Sequence, residues 1–226
     1  GDPRVREMAR LMAPGVAGLA ITQINFFVGT FLASFLAQGS VAALTYAFRL
    51  VQFPIGVVGV AIATGALPVM AAAFAKEAVG DMKAALQGSM RLAIFLTLPA
   101  MVGLLVFGRP IVHVLFERGA FTRPVTILTA DILLAYTLGL VFYICNRILA
   151  PAFYAMQDTW TPMRTGMLAV GVNITASLLF MRPLGAAGLA LATAVASATN
   201  FILLFTFLRR RLGPVGVTRL LWPAAK

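Results

Sequence analysis

The chain is poor in almost everything a soluble catalyst uses. Among its 226 residues stand one cysteine, Cys145, and one histidine, His113. That excludes an internal disulfide and any cysteine- or histidine-rich metal site. Only seven residues are acidic and 11% are charged, against about 25% charged in soluble globular domains. There is no Ser/His/Asp arrangement, no phosphate-cradling glycine loop and no pair of carboxylates within reach, so an enzyme has little to work with. The shortage of acids leaves a net charge of +11. The basic residues flank apolar runs instead of forming one stripe, which argues against a nucleic-acid binder. No signal peptide is visible: residues 1–7 are a polar lead-in, and the expectation is a segment cut from a longer chain.

What the chain does have is apolar length. Apolar residues make up 61% of it, and the mean hydropathy is +0.94. The expected fold is all-α integral membrane, with six transmembrane helices at about 11–37, 43–75, 88–108, 124–147, 162–182 and 184–208. A cytoplasmic lead-in, 1–10, and a basic cytoplasmic tail, 209–226, flank this lobe. Backbone groups in hydrocarbon need internal partners, so these runs read as helices, and the two-residue alternation of a barrel strand is missing. With the N-terminus inside, thirteen of the eighteen basic residues fall on the inner side and four (Arg109, Arg118, Arg123 and Arg182) on the outer. Arg49 is left within a span. The bias predicts cytoplasmic termini. Between Arg109 and Arg123, Ile111, Val114 and Leu115 recur at helical spacing, which predicts a short outer interfacial helix ended by Gly119. Thr161 is expected to cap the fifth helix, with Pro162 in its first turn.

Residues 56–64 and 185–193 both read G-x-x-G-x-A-x-A-T. Small residues at these spacings let helix backbones approach closely in lipid, so the echo reads as two similar packing faces, with duplication as the other explanation. Pro14, Pro54, Pro68, Pro99 and Pro151 fall in or beside spans and free backbone carbonyls there.

Arg49 carries the most chemistry. A cation within a span costs about 2.5–3.5 kcal/mol on insertion scales and normally faces a partner or a water-filled cavity. Its neighbours within a turn are Tyr46, Phe48, Gln52 and Phe53, none of them acidic. A guanidinium without a local counter-ion suits a phosphate, which it can grip with two parallel hydrogen bonds. Snorkelling to the nearer membrane face is the competing explanation. Tyr46 and Gln52, one turn to either side, complete the candidate substrate-binding set. Asp131 reads equally as the partner of an arginine and as a hydrated carboxylate at a helix start. Cys145 reads as a small packing residue.

Three ordered motifs carry a family resemblance. Ala47-Phe48-Arg49-Leu50-Val51-Gln52-Phe53-Pro54-Ile55-Gly56-Val57-Val58-Gly59-Val60-Ala61 resembles a stretch of the MurJ/MviN family. Leu115-Phe116-Glu117-Arg118-Gly119-Ala120-Phe121 and Ala152-Phe153-Tyr154-Ala155-Met156-Gln157-Asp158-Thr159-Trp160-Thr161-Pro162 resemble two more. Met12-Ala13-Pro14 and Gln23-Ile24-Asn25 fit the start of the same region. The family are flippases of the bacterial cytoplasmic (inner) membrane for lipid II, the undecaprenyl-diphosphate-linked peptidoglycan precursor. The resemblance implies two lobes around a central cavity, this chain being the second, with its N-terminal partner lobe missing and no activity alone. It implies that Arg49 binds the diphosphate, that no cofactor is needed, and that membrane potential or an ion gradient biases the cycle. In some members this lobe also binds sodium. Asn173 and Thr193 match two of those ligands, but Gly29 and Ser177 stand where such members have acids, which removes the strongest ligands of a hard cation. Phe48 stands where some relatives have an aspartate, leaving Arg49 freer for phosphate. Two other readings stay in view: a related exporter of lipid-linked O-antigen-type sugars or drugs, and a non-transporting scaffold that binds the precursor.

Overall fold

A computed structural model describes Gln23 and residues 25–213. The lead-in 1–10, about half of the expected first span, Met12-Ala13-Pro14 and the tail beyond Gly213 lie outside the described residues. Every element within them is helical: α1 (Asn25–Ser34), α2 (Ser40–Pro54), a π-helical segment (Ile55–Val60), α3 (Ala61–Ala75), α4 (Val79–Phe116), α5 (Arg123–Thr137), α6 (Leu140–Ala155) and α7 (Trp160–Leu212).

The six-span expectation needs correction. Among the described residues, three helical stretches are long and apolar enough to cross a membrane: Ser40–Ala75, Val79–Phe116 and Trp160–Leu212. A fourth is added if α5 and α6, bent by 47° to each other, count as one broken span. Hydropathy marks where apolar residues stop, whereas a helix continues for as long as its hydrogen-bond ladder is intact. The expected outer interfacial helix is therefore no separate element, because residues 109–116 continue α4 through Arg109 and Pro110. The expected fourth span breaks at Leu138 and Gly139. The expected fifth and sixth are joined in α7, where only Gly185 leaves helical geometry, at φ 56° and ψ −134°.

That one residue turns α7 back on itself. The Asn173 amide donates to the Thr193 hydroxyl at 3.2 Å, although twenty residues of straight helix would span about 30 Å. Farther from the turn, Arg211 meets Asp158 at 2.8 Å. A Cβ on Gly188 would lie 2.6 Å from the Phe180 carbonyl carbon, so only glycine lets the two arms close. Gly185 itself sits in a backbone region that is essentially reserved for glycine. In the first copy of the G-x-x-G pattern, Gly59 is buried against Ile144 and Arg147 within the π segment, and a Cβ on Gly56 would meet nothing within 4 Å. One pattern thus serves two local structures, and the close packing expected of it is found at Gly59 and Gly188.

The start of α7 also departs from expectation. Asp158 accepts from the Thr161 amide at 3.0 Å and from its hydroxyl at 2.6 Å, so the carboxylate caps the helix and Thr161 is its donor. Burial works to raise the Asp158 pKa, but the Thr161 hydrogen bonds and the neighbouring Arg211 bring it below the ordinary carboxylate value.

α6 runs through the centre. Ile144, Ile148, Leu149, Ala152 and Phe153 are fully buried, packed between α3, α4 and α7. α5 lies against α2, α4 and α7. At the α4–α5 contact, a Cβ on Gly108 would stand only 3.3 Å from Leu133. With no hydrophobic drive between helices in lipid, such close approaches and interhelical hydrogen bonds hold the bundle. One of those bonds joins α6 to α7, where the Asn146 amide donates to the Ser197 carbonyl at 2.9 Å and its hydroxyl at 3.0 Å.

Candidate functional site, a cationic helix face

α2 has two unlike sides. Ala43, Ala47, Val51 and Pro54 are buried, and the small alanines let the helix lie close to α5. Thr45, Arg49, Gln52 and Gly56 follow at helical spacing on the other side, and all four are exposed. Phe48 turns inward, its ring 5.3 Å from that of Tyr136, so the residue before the arginine is a packing group. Pro54 offers no N–H to the Leu50 carbonyl one turn earlier. The helix then loosens into the π segment, a local form that recurs at functional sites.

The charge of Arg49 is not neutralised by any described residue. The ion pairs among the described residues are Arg109–Asp131 at 3.7 Å, Arg211–Asp158 at 2.8 Å and His113–Glu117 at 2.8 Å. Asp131 is therefore the partner of Arg109, and with both side chains at least half exposed that pair contributes little. The Arg49 guanidinium lies over the Tyr46 ring at 5.8 Å, a cation–π contact that orients the charge without cancelling it. Tyr46 is half-buried, its ring 4.9 Å from Phe116 and 5.5 Å from Phe121. The 115–121 motif therefore reaches, through this tyrosine, the arginine of the 47–61 motif. Gln52, the third candidate, shares the open face with Arg49.

Sequence reasoning missed a second cation. Arg147, counted on the inner side and ending the expected fourth span, lies within α6, its Cγ 3.7 Å from where a Cβ on Gly59 would stand. It is exposed, and no described acid pairs with it. The available signal was its setting: apolar runs lie on both sides of it, as they do around Arg49.

The two residues singled out for an ion, Asn173 and Thr193, are brought together by the fold-back of α7. They bond to each other, and the Thr193 hydroxyl also donates to the Leu189 carbonyl at 3.0 Å. Ser177 is buried one turn from Asn173, and Gly29 lies on α1. Among the described residues no group of three His, Cys, Asp or Glu side chains is placed to hold a metal. A pair of neutral groups already bonded to each other, without a carboxylate, does not fit a hard cation.

Comparison with known proteins bears on this arrangement. The family model described as "Lipid II flippase MurJ" matches residues 1–222. The chain is 38% identical over 204 residues to a "Probable lipid II flippase MurJ" of Vibrio cholerae serotype O1, covering 90% of this chain and 39% of that protein. It is 40% identical over 209 residues to one of Rhizobium tropici, covering 92% and 39%. A solved structure, "Lipid II flippase MurJ, inward closed conformation", superposes with a TM-score of 0.82 at 28% identity, covering 97% of this chain and 48% of that one. The chain thus spans about two-fifths of the length of the curated relatives it matches. With a family match along nearly its whole length, this all-α membrane chain belongs to the lipid II flippase MurJ family.

Proposed function

We propose that this chain is the C-terminal lobe of a two-lobe flippase that moves lipid II from the cytoplasmic to the outer leaflet for cell-wall synthesis. One observation carries the reading: Arg49 stands on an exposed helix face with no described acid to neutralise it. A diphosphate offers such a guanidinium the bidentate, charge-assisted partner the bundle does not. Gln52 on the same face adds a neutral hydrogen-bonding group, and Tyr46 orients the cation. The N-terminal lobe supplies the facing wall of the cavity. The head group enters this cavity from the cytoplasmic side, the lobes rock against each other, and the polyprenyl tail stays in lipid. Both termini of this chain lie in the cytoplasm, as the basic-residue bias supports. The membrane potential, at about 2.3 kcal/mol per charge per 100 mV, is large enough to bias the movement of a doubly charged head group. No chemical conversion takes part, since the family is one of transporters and not of enzymes.

The division into lobes has its own test. Expressed alone, this segment is expected to leave a strain depleted of its flippase unable to make cell wall. Co-expressed with the preceding half of the same protein as a separate chain, it should restore growth. Rescue by the segment alone would contradict the two-lobe reading.

A further inference from the structure

The stretch 115–121 lies outside the cationic face yet is built against it. α4 ends at Phe116, and the next residues form a closed reversal. His113 Nδ1 meets the Glu117 carboxylate at 2.8 Å. The neighbouring His113 holds that carboxyl below its ordinary pKa. The Arg118 guanidinium turns back to donate to the Leu115 carbonyl at 2.6 Å, satisfying one of the acceptors a helix end leaves open. Gly119, at φ +58°, takes the left-handed backbone that reverses the chain. The Phe121 amide then donates to the Arg118 carbonyl at 3.1 Å and closes the turn. The outcome is a set of ring contacts between residues far apart in sequence. Phe121 returns to 5.9 Å from Phe116, and both close on Tyr46, the ring beneath Arg49.

We propose that this reversal is the positioning element for Arg49: Phe116 and Phe121 clamp the Tyr46 ring, and that ring aims the guanidinium at the open face. The physical need is entropic. A long side chain with no carboxylate partner loses its rotamer freedom when a ligand arrives, unless something has ordered it beforehand. An aromatic face does this without neutralising the charge. Phe116, Gly119 and Phe121 touch no substrate in this scheme and act through Tyr46.

The proposal rests on Arg49 being a diphosphate contact, and the experiment separates the two claims. In the full-length protein, Phe121→Leu, Phe121→Tyr, Tyr46→Leu and Arg49→Ala are compared for binding and turnover of a short-chain prenyl-diphosphate sugar. Phe121→Leu should weaken binding about two- to fivefold, the range of a cation–π contact at an exposed site, with little change in turnover at saturation. Phe121→Tyr should restore binding. In an Arg49→Ala background Phe121→Leu should add nothing. Should Phe121→Leu fail to accumulate, Tyr46→Leu provides the same reading from the other side of the contact. Fluorine spectra of protein carrying 4-fluorophenylalanine at position 121 add a readout independent of substrate, and the resonance should move on Tyr46→Leu and on Arg49→Ala. If Arg49→Ala loses binding while Phe121→Leu and Tyr46→Leu bind as wild type, the positioning role is overturned and the functional reading stands. If Arg49→Ala binds as wild type, the functional reading fails. The fluorine resonance then decides the clamp: one that moves upholds the coupling of Phe121 to Arg49, and one that stays put overturns it.

Discussion

Arg49→Ala in the full-length protein should reduce movement of lipid-linked diphosphate across reconstituted vesicles by about a hundredfold, with membrane insertion and thermal stability unchanged. A charge-assisted hydrogen bond is worth about 1.5–3 kcal/mol, and a bidentate guanidinium–phosphate contact lies at the upper end of that range or above it. Each 1.4 kcal/mol is about a factor of ten. Stability should hold because the side chain is exposed and no described acid depends on it, so its removal strands no buried charge. Arg49→Lys should recover only part of the activity, since an ammonium keeps the charge but loses the planar fork. Wild-type transport by Arg49→Ala would remove this arginine from the mechanism.

The second large effect concerns folding and uses the repeated G-x-x-G pattern as its own control. Gly188→Ala should destabilise the full-length protein by about 3 kcal/mol or more, beyond the common range for overpacking. The new methyl would run into the Phe180 backbone, which cannot rotate away as a side chain can. Gly185→Ala, strained at φ 56°, should cost about 1–3 kcal/mol. Gly56→Ala, at the position corresponding to Gly185 in the first copy, should be close to neutral, because a Cβ there meets nothing within 4 Å. Thermal unfolding in detergent distinguishes the three. Equal melting temperatures for Gly188→Ala and wild type would contradict the fold-back of α7.

The residue pattern made some of this legible before any coordinates. Long uncharged runs required helices in lipid, and α2, with the π segment and α3, falls close to the expected second span. An arginine without an acid within one turn was visible in 46–53. What could not be read was where helices end. Nothing in the pattern stops α4 at Arg109, because a charged residue at the membrane surface leaves the backbone ladder intact. Helical geometry ends only at Glu117, at ψ 83°, whose N–H still bonds the His113 carbonyl. The Arg182-Pro183 pair looked like the end of a span, but the reversal is made by Gly185, two residues beyond the proline, and depends on a contact between Gly188 and Phe180. The choice of Asp158 over Thr161 as the cap is decided by turn geometry, since both residue types are good caps. The meeting of Tyr46 with Phe116 and Phe121 is a tertiary contact that no local periodicity encodes. The expected fourth span stops at Arg147 for a related reason: a charge ends an apolar run, whereas α6 continues to Ala155.

Exposure of position 49 to water, and not to acyl chains, is the claim on which the account turns. It is tested by labelling Arg49→Cys in the full-length protein with a charged, membrane-impermeant thiol reagent, in a Cys145→Ala background. The native thiol, 1% exposed, serves as the unreactive reference in the parent chain. The account predicts rapid labelling at position 49. A cysteine there that stays as unreactive as Cys145 would mean the side chain points into lipid or protein, and the diphosphate site would have to lie elsewhere.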